Sequence, residues 1–212
     1  GSALQDVFIS TSDIEFKTSA GTLSGVKRLT IEAGEKNSAD SVKISTGGGA
    51  TNAAVTFVRQ GINADFMGTI ADDPAGHAVL DDLDKEGVGT QLVSYSDKYH
   101  TGYSVLLLAP SGERTILTYR GASTHYELKN FDISKGDASW LYLSSMAGDM
   151  DILDSIFTQA KKRKIKIFFN PGKDELKQID KLKPLLEDID ILSVNREEAM
   201  QIVKGNTLDE LI

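Results

Sequence analysis

The stretch GGGATNAA, from Gly47 to Ala54, decides the fold of this chain. Its three glycines stand between a predicted strand at Val42–Ile44 and a predicted helix at Asn52–Gln60. Because glycine has no Cβ, the backbone of such a turn can approach a ligand closely. The amides at the start of the helix and the Asn52 side chain could then hydrogen-bond a polyol. A tight strand–helix turn without a ligand explains the glycines equally well, so the turn alone leaves both interpretations open.

The turn lacks the two fingerprints that mark many phosphate-binding glycine loops. The sequence contains neither G-x-G-x-x-G nor G-K-[ST] after the glycines. In such loops these residues bring the backbone to a pyrophosphate or place a lysine on it. A dinucleotide-dependent enzyme of the Rossmann type is therefore disfavoured.

Short strands dominate the sequence before the turn and around residues 102–119. Apolar and β-branched residues bounded by Gly, Ser, Thr and Asp predict the strands Val7–Ile9, Ile14–Phe16 and Leu29–Ile31. Two longer strands, Gly102–Leu108 and Glu113–Tyr119, flank Pro110-Ser111-Gly112, which is typical of a β-hairpin. Between these regions we expect a strand at Ala64–Thr69 and a helix at Ala75–Glu86.

The second half of the sequence alternates strands with helices. The predicted strands are Trp140–Leu143, Ile165–Phe169 and Ile189–Val194, and the predicted helices are Asp151–Lys162, Leu182–Glu187 and Glu197–Val203. Such alternation implies right-handed crossovers and a parallel sheet covered on both faces. The sequence therefore predicts an α/β fold. A further helix is expected to begin at Thr207–Ile212.

Composition narrows the class of protein. The chain has 212 residues, 40% of them hydrophobic, and a formal net charge of −8. An acidic surface repels nucleic acid backbones, so we expect no nucleic acid partner. The absence of cysteine excludes disulfides and thiolate metal sites. No apolar run reaches the roughly 18 residues of a membrane helix, and we expect a cytoplasmic protein with no membrane partner.

The glycine turn and the sequence after it resemble the ribokinase-like (PfkB) family of carbohydrate and nucleoside kinases. Gly47 and Gly48, followed by three residues and Asn52, resemble the family's GG-x-x-x-N sugar-binding turn. The stretch FMGTIADDPAG at 66–76 and KEGV at 85–88 are similar to its first signature, although Ala71 replaces the second glycine. The resemblance covers most of the chain and matches the N-terminal two-thirds of a member.

Further matches occur in the family's order. Gly1 and Asp6 fit G-x-x-x-x-D at the end of a first strand, and the segment 119–122 resembles the return from the family's lid hairpin. The resemblance implies that Asp6, Gly48, Gly49 and Asn52 bind the substrate. Without it, Asp6 would be interpreted as a solvated carboxylate at a strand end.

A second group of matches concerns phosphate and Mg²⁺. The resemblance places Asn170, Asn195 and Glu198 beside them, with Glu198 holding Mg²⁺ through water. A carboxylate at the end of a parallel strand faces the crevice where α/β folds bind ligands. The alternative is structural, because N-x-x-E is also the capping-box pattern in which Asn195 caps a helix and Glu198 pairs with it.

The resemblance implies one incomplete three-layer α/β/α Rossmann-like domain over 1–212, with a mostly parallel sheet. A small β-sheet lid is expected from about 7–45 and 101–120, and the family's lid also implies a homodimer. The implied activity is ATP-dependent phosphorylation of a hydroxymethyl group on a sugar or nucleoside, with Mg²⁺.

Two features of the sequence limit this activity. We expect the catalytic base beyond Ile212, so that the chain alone would be inactive. A non-catalytic sugar- or nucleoside-binding module is the alternative. Met146 stands where ribokinase-type members often place a substrate-binding Glu, which argues against ribose.

Overall fold

The structure is a computed structural model that describes residues 1–12, 16–18, 27–29, 34–205 and 207–211. Its strands are β1 (Leu4–Ser10), β2 (Phe16–Thr18), β3 (Lys27–Leu29), β4 (Ser41–Gly47), β5 (Thr69–Ile70), β6 (Ser94–Tyr95), β7 (Gly102–Leu108), β8 (Arg114–Tyr119), β9 (Trp140–Leu143), β10 (Lys166–Phe169) and β11 (Ile191–Leu192). Its α-helices are α1 (Gly49–Arg59), α2 (Pro74–Lys85), α3 (Met150–Arg163), α4 (Lys173–Leu176), α5 (Ile179–Leu186), α6 (Arg196–Ile202) and α7 (Leu208–Leu211).

One sheet contains the four longest strands, in the order β4-β1-β7-β8. Strand β1 runs antiparallel to β4 and parallel to β7. Strands β7 and β8 form the predicted hairpin, whose turn is closed by a hydrogen bond from the Ala109 N–H to the Glu113 carbonyl at 3.0 Å. All four strands come from segments in which the sequence predicted lid strands.

A second sheet is parallel and lies between two layers of helix. Its order is β11-β10-β9. Alternate residues point to opposite faces, so Ile167 and Phe169 pack in the large core with α3, whereas Phe168 packs edge-on against Tyr142 at a centroid distance of 5.0 Å. Tyr142 in turn packs against Phe57 of α1 at 5.6 Å. The predicted α/β class with three layers and a separate small sheet is confirmed.

A smaller core lies under α1 and α2. It contains the fully buried side chains of Phe66, Ile70 and Val79, together with Leu83 and Ala54. Each such aliphatic or aromatic side chain stabilises the fold by roughly 1.5–3 kcal/mol on burial. This core fixes α1, and with it the glycine turn, beside the parallel sheet.

The prediction of a continuous strand at Ala64–Thr69 is wrong. The segment makes one isolated bridge, between Asp65 and Gly89, and β5 begins only at Thr69. The Phe66 side chain turns into the core, and its ring lies so close to Gly68 that a Cβ there would overlap it. The chain therefore pairs in short pieces instead of as one strand.

Other boundaries differ in length. The last parallel strand is only Ile191–Leu192, against the predicted Ile189–Val194. Residues 14, 15, 30 and 31 of two predicted strands lie outside the described residues, although Phe16 and Leu29 pair with each other in a small antiparallel sheet. Across the described ranges, no helix combines the length and the apolar character that a membrane span requires.

Asp73 provides a test of how the helices are fixed to the first sheet. Its carboxylate caps α2 by accepting from the Gly76 N–H at 2.8 Å, and it also accepts from the Thr101 N–H at 3.0 Å, just before β7. Asp73→Ala should lower the free energy of unfolding in urea by about 2 kcal/mol, because a cap and a second acceptor are both lost. Asp72→Ala is the matched control and should change it by less than about 0.5 kcal/mol, since Asp72 is exposed and its side chain pairs with the exposed His77.

The stabilisation that Asp73 provides should also depend on pH. Burial raises the pKa of Asp73, but hydrogen bonds from Thr101, Gly76 and His100 outweigh it, so the pKa lies below its ordinary value. The stability difference between wild type and Asp73→Ala should be complete above about pH 4 and shrink as the pH falls through the lowered pKa. A difference that grows on acidification would contradict the assignment.

Candidate functional site

The glycine turn is pressed against the segment that precedes β1. Gly48 has φ of 123°, and a Cβ there would overlap the Ser2 carbonyl. The Thr51 hydroxyl donates to the Gly47 carbonyl at 2.8 Å and holds the turn from the helix side. These contacts require glycine at position 48, because its backbone conformation and the space are both closed to a side chain.

The first amides of α1 already donate hydrogen bonds within the protein. This corrects the expectation that they could hydrogen-bond a polyol. The Gly49 N–H donates to the Ser2 hydroxyl at 3.0 Å, and the Ala50 N–H donates to the Ser2 carbonyl at 3.3 Å. Neither amide is available to a polyol in this conformation. The turn therefore offers close backbone approach, and the polar groups for a ligand must come from neighbouring side chains.

Asp6 lies directly against this turn. It sits in β1 between Ser45 of β4 and Ser104 of β7, and a Cβ on Gly47 would overlap its carboxylate. Burial raises the pKa of the Asp6 carboxyl, and a hydrogen bond with the Ser104 side chain lowers it by a smaller amount. The structure thus brings Asp6 and the glycine turn together, as the sequence predicted. Ser104, a buried neighbour of Asp6, was missed because only strand register reveals it.

Asn52 projects from the first turn of α1. Its N–H donates to the Gly48 carbonyl at 3.0 Å, as the helix requires. The side chain is exposed, and within the described part of the chain its amide has no hydrogen-bond partner. Asn52 can therefore offer both a donor and an acceptor to a ligand beside the turn.

Ser144 links the glycine turn to the parallel sheet. It follows the last residue of β9 and is 5% exposed, and its hydroxyl has no hydrogen-bond partner among the residues that the structure describes. It packs on Gly49, where a Cβ would lie 3.1 Å from the Ser144 Cβ. Sequence reasoning missed Ser144, and the signal was a Ser144-Ser145 pair directly after an apolar strand.

The residues predicted to border phosphate and Mg²⁺ follow the other two strands of the parallel sheet, Asn170 after β10, and Asn195 and Glu198 after β11. The Asn170 N–H donates to the Leu143 carbonyl at 2.8 Å, and its side-chain amide donates to the Ser193 carbonyl at 2.7 Å. Asn170 thereby ties the ends of β9, β10 and β11 together. Asn195 lies two residues beyond Ser193.

The capping interpretation of Asn195 and Glu198 is confirmed. The Glu198 N–H donates to the Asn195 side-chain oxygen, and the Asn195 N–H donates to one Glu198 carboxylate oxygen, both at 2.9 Å. The second carboxylate oxygen of Glu198 takes no part in this box. Among the described residues, no three His, Asp or Glu side chains are grouped to hold a metal directly.

Met146 contributes no polar group to the sheet edge. Its side chain is fully buried in the large core, beneath the loop that follows β9. The residues of that loop nearer to solvent are Ser145 and Ala147. A ligand at this point would therefore meet the loop backbone and small side chains.

A groove of about 840 Å³ lies between α1 and the parallel sheet. Phe57, Tyr142 and Phe168 line it, and none of the predicted site residues does. Most of its lining is apolar, and its polar residues, among them Asn63, Asp65, Asp137 and Ser139, belong to none of the predicted motifs. The candidate site is a series of neighbouring residues, which we call the row. The row begins at Asp6 and the glycine turn, passes through Ser144 and Asn170, and ends at Asn195 and Glu198.

Known proteins resemble this chain over most or all of its length. The ribokinase of Haemophilus influenzae is 25% identical over 182 residues, which are 84% of this chain and 57% of the relative. The structure of Arabidopsis thaliana ribokinase complexed with ribose and ATP matches with a TM-score of 0.75 at 21% identity, covering 100% of this chain and 64% of that one. The Burkholderia thailandensis nucleoside kinase in complex with inosine matches with a TM-score of 0.72 at 17% identity, covering 100% and 64%.

These similarities cover different shares of this chain and of its relatives. The chain spans less than two thirds of the length of each of these relatives. At these identities, the two solved structures establish the shared fold. The family model of the pfkB carbohydrate kinases matches residues 22–212, which is most of the sequence. The chain belongs to the pfkB family of carbohydrate kinases.

Proposed function

We propose that this chain forms the substrate-binding part of an ATP-dependent kinase that phosphorylates a hydroxymethyl group of a sugar or nucleoside. One observation carries the proposal: the Asp6 carboxylate is held against a glycine turn, with the unpartnered Asn52 side chain on the helix that follows. An ionised carboxylate is a strong acceptor for hydroxyl donors. A carboxylate and an amide around a turn without side chains fit the edge of a polyol.

Gly48 and Gly49 serve this site by letting the turn pack tightly against Ser2 and Ser144, where a side chain would not fit. The sugar or ribosyl group is proposed to lie beside the turn, next to Asp6 and Asn52. Asp6 would then accept from its hydroxyls, and Asn52 would donate or accept at a neighbouring position. The ribose and the inosine in the names of two structural neighbours support a polyol of this class.

The far end of the row is proposed to face the nucleotide. Asn170, Asn195 and Glu198 would border its phosphates, and the Glu198 oxygen outside the capping box fits a contact with Mg²⁺ through water. Mg²⁺ binds phosphates while keeping several waters, so one carboxylate suffices at its edge. When bound, Mg²⁺ neutralises charge that develops on the transferred phosphoryl group. We assign no general base within 1–212 and place it, by resemblance, in the region of the relatives that this chain does not span.

The four-stranded sheet is proposed to act as a lid. It carries Asp6 on one strand and joins the rest of the fold at the glycine turn. A closing lid excludes water from phosphoryl transfer. The face opposite Asp6 leaves Val42 58%, Ile44 61% and Leu117 62% exposed. We propose that a second copy covers these exposed side chains and forms a homodimer through the lid.

Ligand binding tests the proposal directly. The purified chain should show a higher melting temperature with one sugar or nucleoside in a panel of ribose, fructose, adenosine, other nucleosides and sugar phosphates. A ligand at 100 times its dissociation constant adds roughly 2.7 kcal/mol of stability. A shift that Mg²⁺-ATP does not change would favour binding without catalysis by this chain. A panel that leaves the melting temperature unchanged would contradict the proposal.

Substitutions then locate the site. Asp6→Asn and Asn52→Ala should each weaken the binding of that ligand by about 1–3 kcal/mol, the cost of leaving a buried polar partner unpaired. The controls are Asp40→Asn, an acid in the loop before β4, and Gln60→Ala, at the far end of α1; neither should alter the affinity. Calorimetric titration measures all four. Wild-type affinity in both site variants would refute the assignment.

The affinity should also depend on pH. Asp6 must be ionised to accept hydroxyl hydrogen bonds, and burial raises its pKa. Affinity should therefore be constant at neutral pH and decrease as the pH falls through the raised pKa, at a higher pH than an ordinary Asp near about 3.9 would cause. Asp6→Asn should abolish this dependence. A wild-type profile that is flat down to pH values where the protein begins to unfold would exclude Asp6 as the acceptor.

A further inference from the structure

Glu175, in the first turn of α4, carries a fully buried carboxylate that the proposed site does not use directly. Its Oε1 accepts from the Met146 N–H at 2.7 Å and from the Gly148 N–H at 2.8 Å. Its Oε2 accepts from the Gly172 N–H at 2.8 Å, and the Ser145 hydroxyl reaches both oxygens. Three backbone N–H groups and one hydroxyl thus meet at this carboxylate.

These donors belong to two different loops. Ser145, Met146 and Gly148 follow β9, whereas Gly172 follows β10, so a single carboxylate holds together the carboxyl ends of two neighbouring strands. The loops are also in tight contact, because a Cβ on Gly172 would lie 2.5 Å from the Ser145 hydroxyl oxygen.

The loop after β9 is held in an uncommon conformation. Ala147 has φ of 58° and Gly148 has φ of 76°. A non-glycine residue at positive φ is strained and persists where its surroundings impose it. Two of the hydrogen bonds to Glu175 come from the amides on either side of Ala147. The Gln178 side chain adds a hydrogen bond to the Gly148 carbonyl at 2.7 Å.

Both loops continue directly into the candidate site. Ser144, next to Ser145, packs on Gly49 of the glycine turn. Asn170, two residues before Gly172, binds the Ser193 carbonyl near Asn195. A shift of either loop would therefore move the sugar end of the row relative to its phosphate end.

We propose that Glu175 is a positioning residue that fixes the spacing between the sugar end and the phosphate end of the site. This inference rests on the proposed function for the identity of the ligands, but the geometry of the loops is independent of it. Glu175 touches no part of the row that a ligand would contact, and it acts through Ser144 and Asn170.

The isosteric change Glu175→Gln tests this role. A glutamine keeps the size of the side chain but replaces one acceptor oxygen by an NH₂ group. Whichever way the amide turns, its NH₂ faces an N–H donor, either that of Gly172 or those of Met146 and Gly148. Asp174→Asn is the matched control on the same helix, because Asp174 is exposed and its carboxylate forms an ion pair with Lys177 at 2.7 Å instead of binding the two loops.

Two measurements on the whole chain separate the outcomes. Amide hydrogen exchange, followed by NMR, should accelerate at Met146, Gly148 and Gly172 by at least about tenfold in Glu175→Gln and stay unchanged in Asp174→Asn. The affinity for the sugar or nucleoside found in the panel should fall by about tenfold in Glu175→Gln. Val79→Ala, which lowers stability from a buried site in α2, should retain wild-type affinity and thereby control for general destabilisation.

Each result supports or overturns the role of Glu175. Unchanged exchange in Glu175→Gln would show that the carboxylate does not hold the loops, and accelerated exchange with wild-type affinity would show that the loops do not position the site. If Glu175→Gln does not fold, Ser145→Ala, which removes one donor and keeps the charge, should give a smaller acceleration and about threefold weaker binding. A wild-type chain that binds nothing in the panel refutes the proposed function, while the exchange result still decides whether Glu175 fixes the loops.

Discussion

The candidate site depends on one steric constraint, the contact between the glycine turn and strand β1. Gly47 leaves space for the Asp6 carboxylate, and Gly48 leaves space for the Ser2 carbonyl. A Cβ at position 48 would overlap the Ser2 carbonyl, and one at position 47 would displace the Asp6 carboxylate, so glycine at both positions preserves this contact. The contact places a carboxylate of the four-stranded sheet beside a helix of the α/β layers.

From this contact the site extends along the edge of the parallel sheet. Ser144 packs on Gly49, Asn170 ties the ends of three strands, and the capping box of Asn195 and Glu198 ends the row. Most of these polar groups already make contacts that stabilise the fold. In such an arrangement the geometry of the site is set by hydrogen bonds that persist without ligand, which favours preorganised binding. Glu175, whose carboxylate accepts hydrogen bonds from the loops after β9 and β10, is the strongest example of such ligand-independent hydrogen bonding.

Local signals predicted much of this structure. The hairpin around Gly112, the helix after the glycine turn and the capping box at Asn195 each follow from residues close in sequence. Ser104 and Glu175 were not predicted, because their roles arise from strand register and from burial between loops far apart in sequence. The hydrogen bonds from the first α1 amides to Ser2 were not predicted either, because Ser2 is far from them in sequence.

A crystal structure of the chain with its bound sugar or nucleoside tests the central claim most directly. The account predicts ligand hydroxyls within about 2.6–3.2 Å of the Asp6 carboxylate. It also predicts the Asn52 amide beside them and the ligand next to the glycine turn. A ligand bound instead in the apolar groove between α1 and the parallel sheet, with no contact to Asp6, would contradict it.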